Sequence, residues 1–295
     1  MIKTLLLTSR PRFLLLSFSV VLLGSAIAFY EGAEWSMSLF ILITLGAVLS
    51  HAAVNMLNEY QDFQSGLDAV TDRTPFSGGS GALPNNPDVA PLVFNTFIGI
   101  LGLLVVLGSY FIFLKGWALL PLGAVGLLVI VTYTSKITRL PWVCLISPGL
   151  AFGPLMVLGT YFVWTGDFSL LALALSLVPF FLVNNLLLLN QVPDLQADRV
   201  VGRFNILMKV GLKRGLLIFV SFVLLAFSSL LVTSLIFNLP SLIWLGFLGI
   251  LLGLPMTKIV LQSDKNIDKL MPALGMNVII NLSTPVLIAA GLFWG

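Results

Sequence analysis

Asn58, Glu59, Asp62 and Asp68 in one stretch of the chain, and Asp194 and Asp198 in a second, are residue types that bind hard cations through oxygen. The first stretch runs Asn55-Met-Leu-Asn58-Glu59-Tyr60-Gln61-Asp62-Phe-Gln-Ser-Gly66-Leu-Asp68, and the second Asn190-Gln191-Val-Pro-Asp194-Leu-Gln-Ala-Asp198-Arg199. Spacings of three and four put Asn55, Asn58, Glu59 and Asp62 along one face of a helix, with Gly66 suited to stop it. Asn190, Asp194 and Asp198 recur every fourth residue, again on one face, with Asn184 and Asn185 deeper in the same helix. Neither stretch contains His or Cys. Oxygen-only ligands suit Mg2+, which binds a carboxylate or two together with phosphate oxygens. Two such faces opposed across a bundle would hold on the order of two or three Mg2+ ions around a diphosphate. The plainer alternative is that these carboxylates pair with Arg199, Arg203 and Lys209 as ordinary loop charges.

The elements that must position them are membrane helices. Of 295 residues, 58% are hydrophobic and 9% charged, against about 25% charged in soluble domains. Uncharged stretches cover 13–30, 35–58, 89–114, 116–135, 140–166, 168–193, 215–257 and 270–295. Asn238-Leu-Pro240 breaks the seventh into two. At roughly 20 apolar residues per span, the fold class is an all-α membrane protein, a bundle of nine transmembrane helices forming a single domain over 1–295. Lys3, Arg10 and Arg12 before an apolar run and Ala26-Ile-Ala28 also have the outline of a signal peptide. Phe29-Tyr30 fits an interfacial anchor and favours an uncleaved first helix.

With the N-terminus in the cytoplasm, every Lys and Arg except Lys115 falls on the inner side, Lys265 among them, and so do both acidic stretches. The net charge of +3 is then a consequence of topology and gives no case for nucleic-acid binding. The expected location is a multi-pass prokaryotic inner membrane with the acidic stretches facing the cytoplasm. Cys144 is the single cysteine, which excludes a disulfide framework and a thiol metal site. The inner connections 59–88 and 194–214 are long enough to be functional. In the first, Arg73-Thr-Pro-Phe-Ser-Gly-Gly-Ser-Gly81 either turns backbone N–H groups toward an anion or caps the site.

Asn58-Glu59-x-x-Asp62 with Asp68, followed about 130 residues later by Asp194-x-x-x-Asp198, resembles the two aspartate-rich motifs of the UbiA superfamily of intramembrane prenyltransferases. Asn58, Tyr60, Asp62, Gly66 and Asp68 match the tighter form of the menaquinone-pathway branch, which prenylates 1,4-dihydroxy-2-naphthoate. Glu59 stands where that family usually has Asp. The resemblance implies Mg2+-dependent transfer of an isoprenyl chain from an isoprenyl diphosphate to an aromatic acceptor inside the lipid bilayer. It implies Asn58, Asp62, Asp194 and Asp198 as the catalytic, metal-holding set. Asn55, Glu59, Asp68, Arg73, Tyr133, Lys136, Arg139, Asn190, Arg199 and Arg203 are then expected around the substrate. Other members of the superfamily take 4-hydroxybenzoate, homogentisate, chlorophyllide or glycerol-phosphate lipids. A transporter is the rival class, with His51, Asn55, Asn184, Asn185 and Asn190 lining a polar path. Against it, no charge lies in the middle of a span and the carboxylates gather on one side. His51, alone in its helix, is either a helix-to-helix hydrogen bonder or an acid or base.

Overall fold

Ser36 accepts a hydrogen bond from the Leu39 N–H (3.4 Å), and Ser169 accepts from Leu171 and Ala172 (3.0 and 3.2 Å). Both helices that end in the acidic stretches are therefore capped at their opposite ends. The computed structural model describes residues 1–71, 73–263 and 267–295, so Lys265 lies outside the described residues. A short helix α1 (Ile2–Thr8) precedes α2 (Pro11–Tyr30), α3 (Met37–Ser65), α4 (Pro87–Lys115) and α5 (Trp117–Thr132). There follow α6 (Pro141–Thr165), α7 (Leu170–Val200), α8 (Leu212–Ile236), α9 (Ser241–Gln262) and α10 (Asp268–Trp294). Among the described residues there is no strand.

Eight of these helices are long and apolar enough to cross a membrane. The fourth of the nine expected spans, α5, is shorter: about 24 Å at 1.5 Å per residue, against roughly 30 Å of hydrocarbon. It still turns the chain around, from Lys115, which donates to the Trp164 carbonyl (2.9 Å), to Tyr133 beside the acidic stretches. The break in 215–257 falls at Asn238, whose φ of 48° ends α8 before Pro240 and α9. Gly66, at φ 76°, stops α3 one residue after Ser65.

The core joins α2 (Val20, Leu23, Ile27), α7 (Leu175, Leu182), α8 (Phe219, Leu230) and α10 (Ile280, Ile288), all buried. In lipid, helices associate through close packing and interhelical hydrogen bonds, and α7 uses both. Asn184 Oδ1 accepts from the Gly149 N–H of α6 (2.7 Å), Asn185 Nδ2 donates to the Phe219 carbonyl of α8 (2.9 Å), and Asn277 of α10 donates to the Asn185 carbonyl (3.1 Å). Gly149 and Gly153 let α6 touch α7 backbone to backbone; a Cβ on Gly153 would sit 2.6 Å from the Ser176 carbonyl. Pro148 and Pro154 withdraw N–H donors from α6, and residues 151–158 open into a π-helical stretch.

Candidate active site

Asn55, Asn58 and Asp62 line cavities from the last three turns of α3, and Asn190, Asp194 and Asp198 from the end of α7, where Pro193 interrupts the backbone ladder. The two faces meet around a polar cavity of about 170 Å3, also lined by Asp68, Tyr133 and Arg203. Next to it lies an apolar cavity of about 580 Å3 between α3, α4, α5, α6 and α7. Arg10, Asn58, Phe76, Tyr133, Leu187 and Asn190 border both cavities.

Four carboxylates, those of Asp62, Asp68, Asp194 and Asp198, face the polar cavity against two guanidiniums, Arg10 and Arg203. Arg203 bridges the two acidic stretches. Its Nη2 donates to Asp62 Oδ1 and its Nη1 to Asp198 Oδ1 (3.3 Å), while Asn205 Nδ2 reaches Asp198 Oδ2 (3.4 Å). Burial works against the charge on Arg203, but Asp62 and Asp198 outweigh it and hold its pKa above the ordinary value. Asn58 gives Nδ2 to Thr134 Oγ1 (3.1 Å) and takes Arg10 Nη2 at Oδ1 (3.0 Å). Burial first, then the neighbouring charge of Glu59, pushes the Asp68 carboxyl up to about 6. Burial likewise pushes the Tyr133 hydroxyl well above its ordinary value.

Four lining oxygens have no hydrogen-bond partner among the described residues: Asp68 Oδ2, Asn190 Oδ1, Gln191 Oε1 and Asp194 Oδ1. Buried acceptors without partners are costly, and an oxygen-only set with surplus negative charge fits a hard divalent cation. Among the described residues no three His, Cys, Asp or Glu side chains close on one point.

The other expected residues are placed differently. Asn55 donates to the Ser9 carbonyl (3.0 Å) and lines only the apolar cavity. Glu59 lines neither cavity, its carboxylate being closed off by Arg10 and Ser80. Arg73, exposed, donates to the Asp68 carbonyl (2.9 Å). Lys136, Arg139 and Arg199 are exposed and border neither cavity. His51 pairs through Nδ1 with Ser17 Oγ (3.0 Å), joining α3 to α2, and its ring meets Phe152 edge-on on the apolar cavity wall. Arg10, Thr138, Cys144, Gln191 and Asn205 also line the polar cavity, and nothing in the sequence spacing singles them out as site residues, not even Gln191 inside the second acidic stretch. Ser77, Gly78 and Gly79 of the glycine-rich segment also line it.

Residues 17–281 match the UbiA prenyltransferase family. A 1,4-dihydroxy-2-naphthoate octaprenyltransferase of Bacillus subtilis (strain 168) is 27% identical over 208 residues, which is 70% of this chain and 65% of that protein. The chain thus spans just under two thirds of that curated relative's length. A UbiA prenyltransferase domain-containing protein 1 of Dictyostelium discoideum is 29% identical over 250 residues, 80% of this chain and 74% of that protein. The apo structure of a UbiA homolog from Aeropyrum pernix K1 superposes with a TM-score of 0.73 at 17% identity, over 96% of this chain and 97% of its own. A UbiA homolog from Archaeoglobus fulgidus bound to DMAPP and Mg2+ superposes at 0.58 and 14% identity, over 97% and 99%. The structural likenesses speak to the fold, and the family match covers most of the sequence. With the paired acidic faces at one end of the bundle, they lead to one assignment: this chain belongs to the UbiA prenyltransferase family.

Proposed function

We propose that the protein transfers an isoprenyl chain from an isoprenyl diphosphate to an aromatic quinone precursor, releasing diphosphate, in an Mg2+-dependent reaction. The observation that carries this reading is the shared rim. A molecule with an anionic head and an apolar tail can fill the polar and apolar cavities at once. Asn58, Asp62, Asp194 and Asp198 would hold Mg2+ on the diphosphate, with Asp68 and Asn190 supplying further oxygens. Bound Mg2+ supplies Lewis-acid neutralisation of the departing diphosphate. Arg203 and Arg10 add fixed positive charge where negative charge develops as the C–O bond breaks. The apolar wall, with Phe152 on it, excludes water from the allylic cation; an electron-rich ring carbon of the acceptor forms the new C–C bond and then gives up its proton to a base, which restores the aromatic ring. The Bacillus subtilis relative favours 1,4-dihydroxy-2-naphthoate as acceptor. The placement of Lys and Arg favours a cytoplasm-facing site in a prokaryotic inner membrane.

The test is turnover in liposomes with geranylgeranyl or farnesyl diphosphate and 1,4-dihydroxy-2-naphthoate, with Mg2+ or with EDTA. Prenylated product and released diphosphate are expected only with Mg2+. Release without product discards the naphthoate acceptor and keeps the ionisation step. No release from folded protein with any donor discards the reaction and turns attention to transport.

A further inference from the structure

We propose that Glu59 is a positioning residue, not a ligand of the diphosphate's metal, and that its carboxylate straps the N-terminal arm and the glycine-rich loop together beside the polar cavity. The substrate side of this inference rests on the function proposed above; the strap itself does not. Glu59 occupies the middle of the first acidic stretch, is fully buried, and lines neither cavity. Its Oε1 accepts from Arg10 Nε (2.7 Å) and from the Ser80 N–H (2.8 Å), and its Oε2 accepts from Ser80 Oγ (2.6 Å). Both oxygens are engaged inside the protein. The two partners come from different segments, so the single side chain joins three pieces of chain: the α1–α2 junction, α3 and the loop 73–81.

Each partner is carried by backbone that needs such a tie. Arg10 sits at φ 52°, a left-handed conformation uncommon for Arg. Its Nη2 goes on to Asn58 Oδ1 (3.0 Å), so the same clamp fixes the amide of a proposed metal-holding residue. The loop turns through Gly78, Gly79 and Gly81, at φ 83°, 74° and 69°. Thr74 accepts from the Ser77 N–H at Oγ1 (2.9 Å) and donates its own N–H to the Ser77 carbonyl (3.1 Å). Gly79 passes so close that a Cβ there would lie 3.2 Å from both Glu59 Oε1 and Asp68 Oδ1. Held this way, the loop puts Ser77, Gly78 and Gly79 on the polar cavity and Phe76 on the rim shared with the apolar one. An Asp at this position would be one methylene shorter than the Glu59 that reaches both Arg10 and Ser80.

Hydrogen exchange followed by mass spectrometry, on full-length protein in nanodiscs, reads the strap without any turnover. Glu59→Gln and Glu59→Asp should speed amide exchange in peptides covering 77–82 by about tenfold or more, because a buried ion pair that loses a partner opens the segment it held. Ser80→Ala, which strands no charge, should speed the same peptides by a smaller factor, and decides the matter if the Glu59 variants do not fold. In turnover assays Glu59→Asp should raise the KM for the diphosphate donor more than it lowers kcat. Wild-type exchange rates in folded Glu59→Gln and Ser80→Ala overturn the strap. Titration of Mg2+ with inorganic pyrophosphate showing a loss as large in Glu59→Gln as in Asp62→Asn, with loop exchange unchanged, makes Glu59 a metal ligand instead. If wild-type protein turns over no donor, the proposed reaction fails and the exchange result still decides the strap.

Discussion

Asp62 and Asp194 bring the same charge to one cavity and are held in opposite ways. Asp62 is paired with Arg203, both side chains largely buried, whereas Asp194 Oδ1 has no partner among the described residues. Replacing either by Asn removes a carboxylate from the proposed metal-holding set, and each should lower kcat/KM by roughly 100-fold or more, a loss typical of removing an electrostatic group aimed at the transition state. Stability should separate them. Asp62→Asn weakens a buried charged hydrogen bond and should cost about 1–3 kcal/mol, seen as a lower melting temperature. Asp194→Asn removes a largely buried carboxylate whose Oδ1 has no hydrogen-bond partner among the described residues, and should melt at or above wild type. Equal melting shifts, or near-wild-type turnover in either, would contradict the assignment. Residue types and spacing identified both carboxylates. They also made Arg203 a candidate cation, but not its pairing with Asp62, which it reaches across 141 positions of sequence.

At the scale of elements, helix rotation decides which charges count. Arg199 follows Asp198 directly, yet one residue is about 100° around a helix: Asp198 is buried and Arg199 exposed. Arg203 returns to the cavity because α7 ends and Gly202, at φ 75°, turns the chain back. The contact between α6 and α7 is set just as sharply. A Cβ on Gly149 would run into the Phe180 carbonyl and the Asn184 side chain, and Gly149 N–H is bonded to Asn184 Oδ1 (2.7 Å). Gly149→Ala should therefore destabilise the protein by about 1–3 kcal/mol through overpacking. It should also cost activity indirectly, since Asn190 and Asp194 ride on the displaced helix. Gly102→Ala, on α4 with nothing within 4 Å of the added Cβ, should leave the melting temperature near wild type. Thermal melts of the two variants side by side check the contrast.

For the whole molecule, the apolar cavity is a property of the bundle and of no single helix. Gly123 and Gly126 of α5 line it, and a Cβ on either meets nothing within 4 Å. A large side chain there should fill space meant for substrate without straining the fold. Gly126→Phe should keep the wild-type melting temperature and shift donor preference toward shorter chains. The ratio of kcat/KM for farnesyl over geranylgeranyl diphosphate should rise roughly tenfold or more. An unchanged ratio in folded Gly126→Phe would place the tail elsewhere.

Composition alone determined that this chain is a helical membrane protein, because runs such as 89–114 and 168–193 have no stable place in water. The period of the helix determined that Asn58 and Asp62, and Asn190, Asp194 and Asp198, each share a face, and Gly66 marked the end of α3. Those are local properties, set within a few turns of chain. The tertiary structure decided what lay between the faces: Arg10 and Arg203 as the cations, Glu59 turned to Arg10 and Ser80, and the glycine-rich loop against the cavity. It also decided that α5 is shorter than a full span and that Lys136, Arg139 and Arg199 face away. The physical reason is distance along the chain. Arg10 meets Glu59 across 49 positions and Asn58 meets Thr134 across 76, and contacts of that kind leave no periodic trace for a single sequence to show.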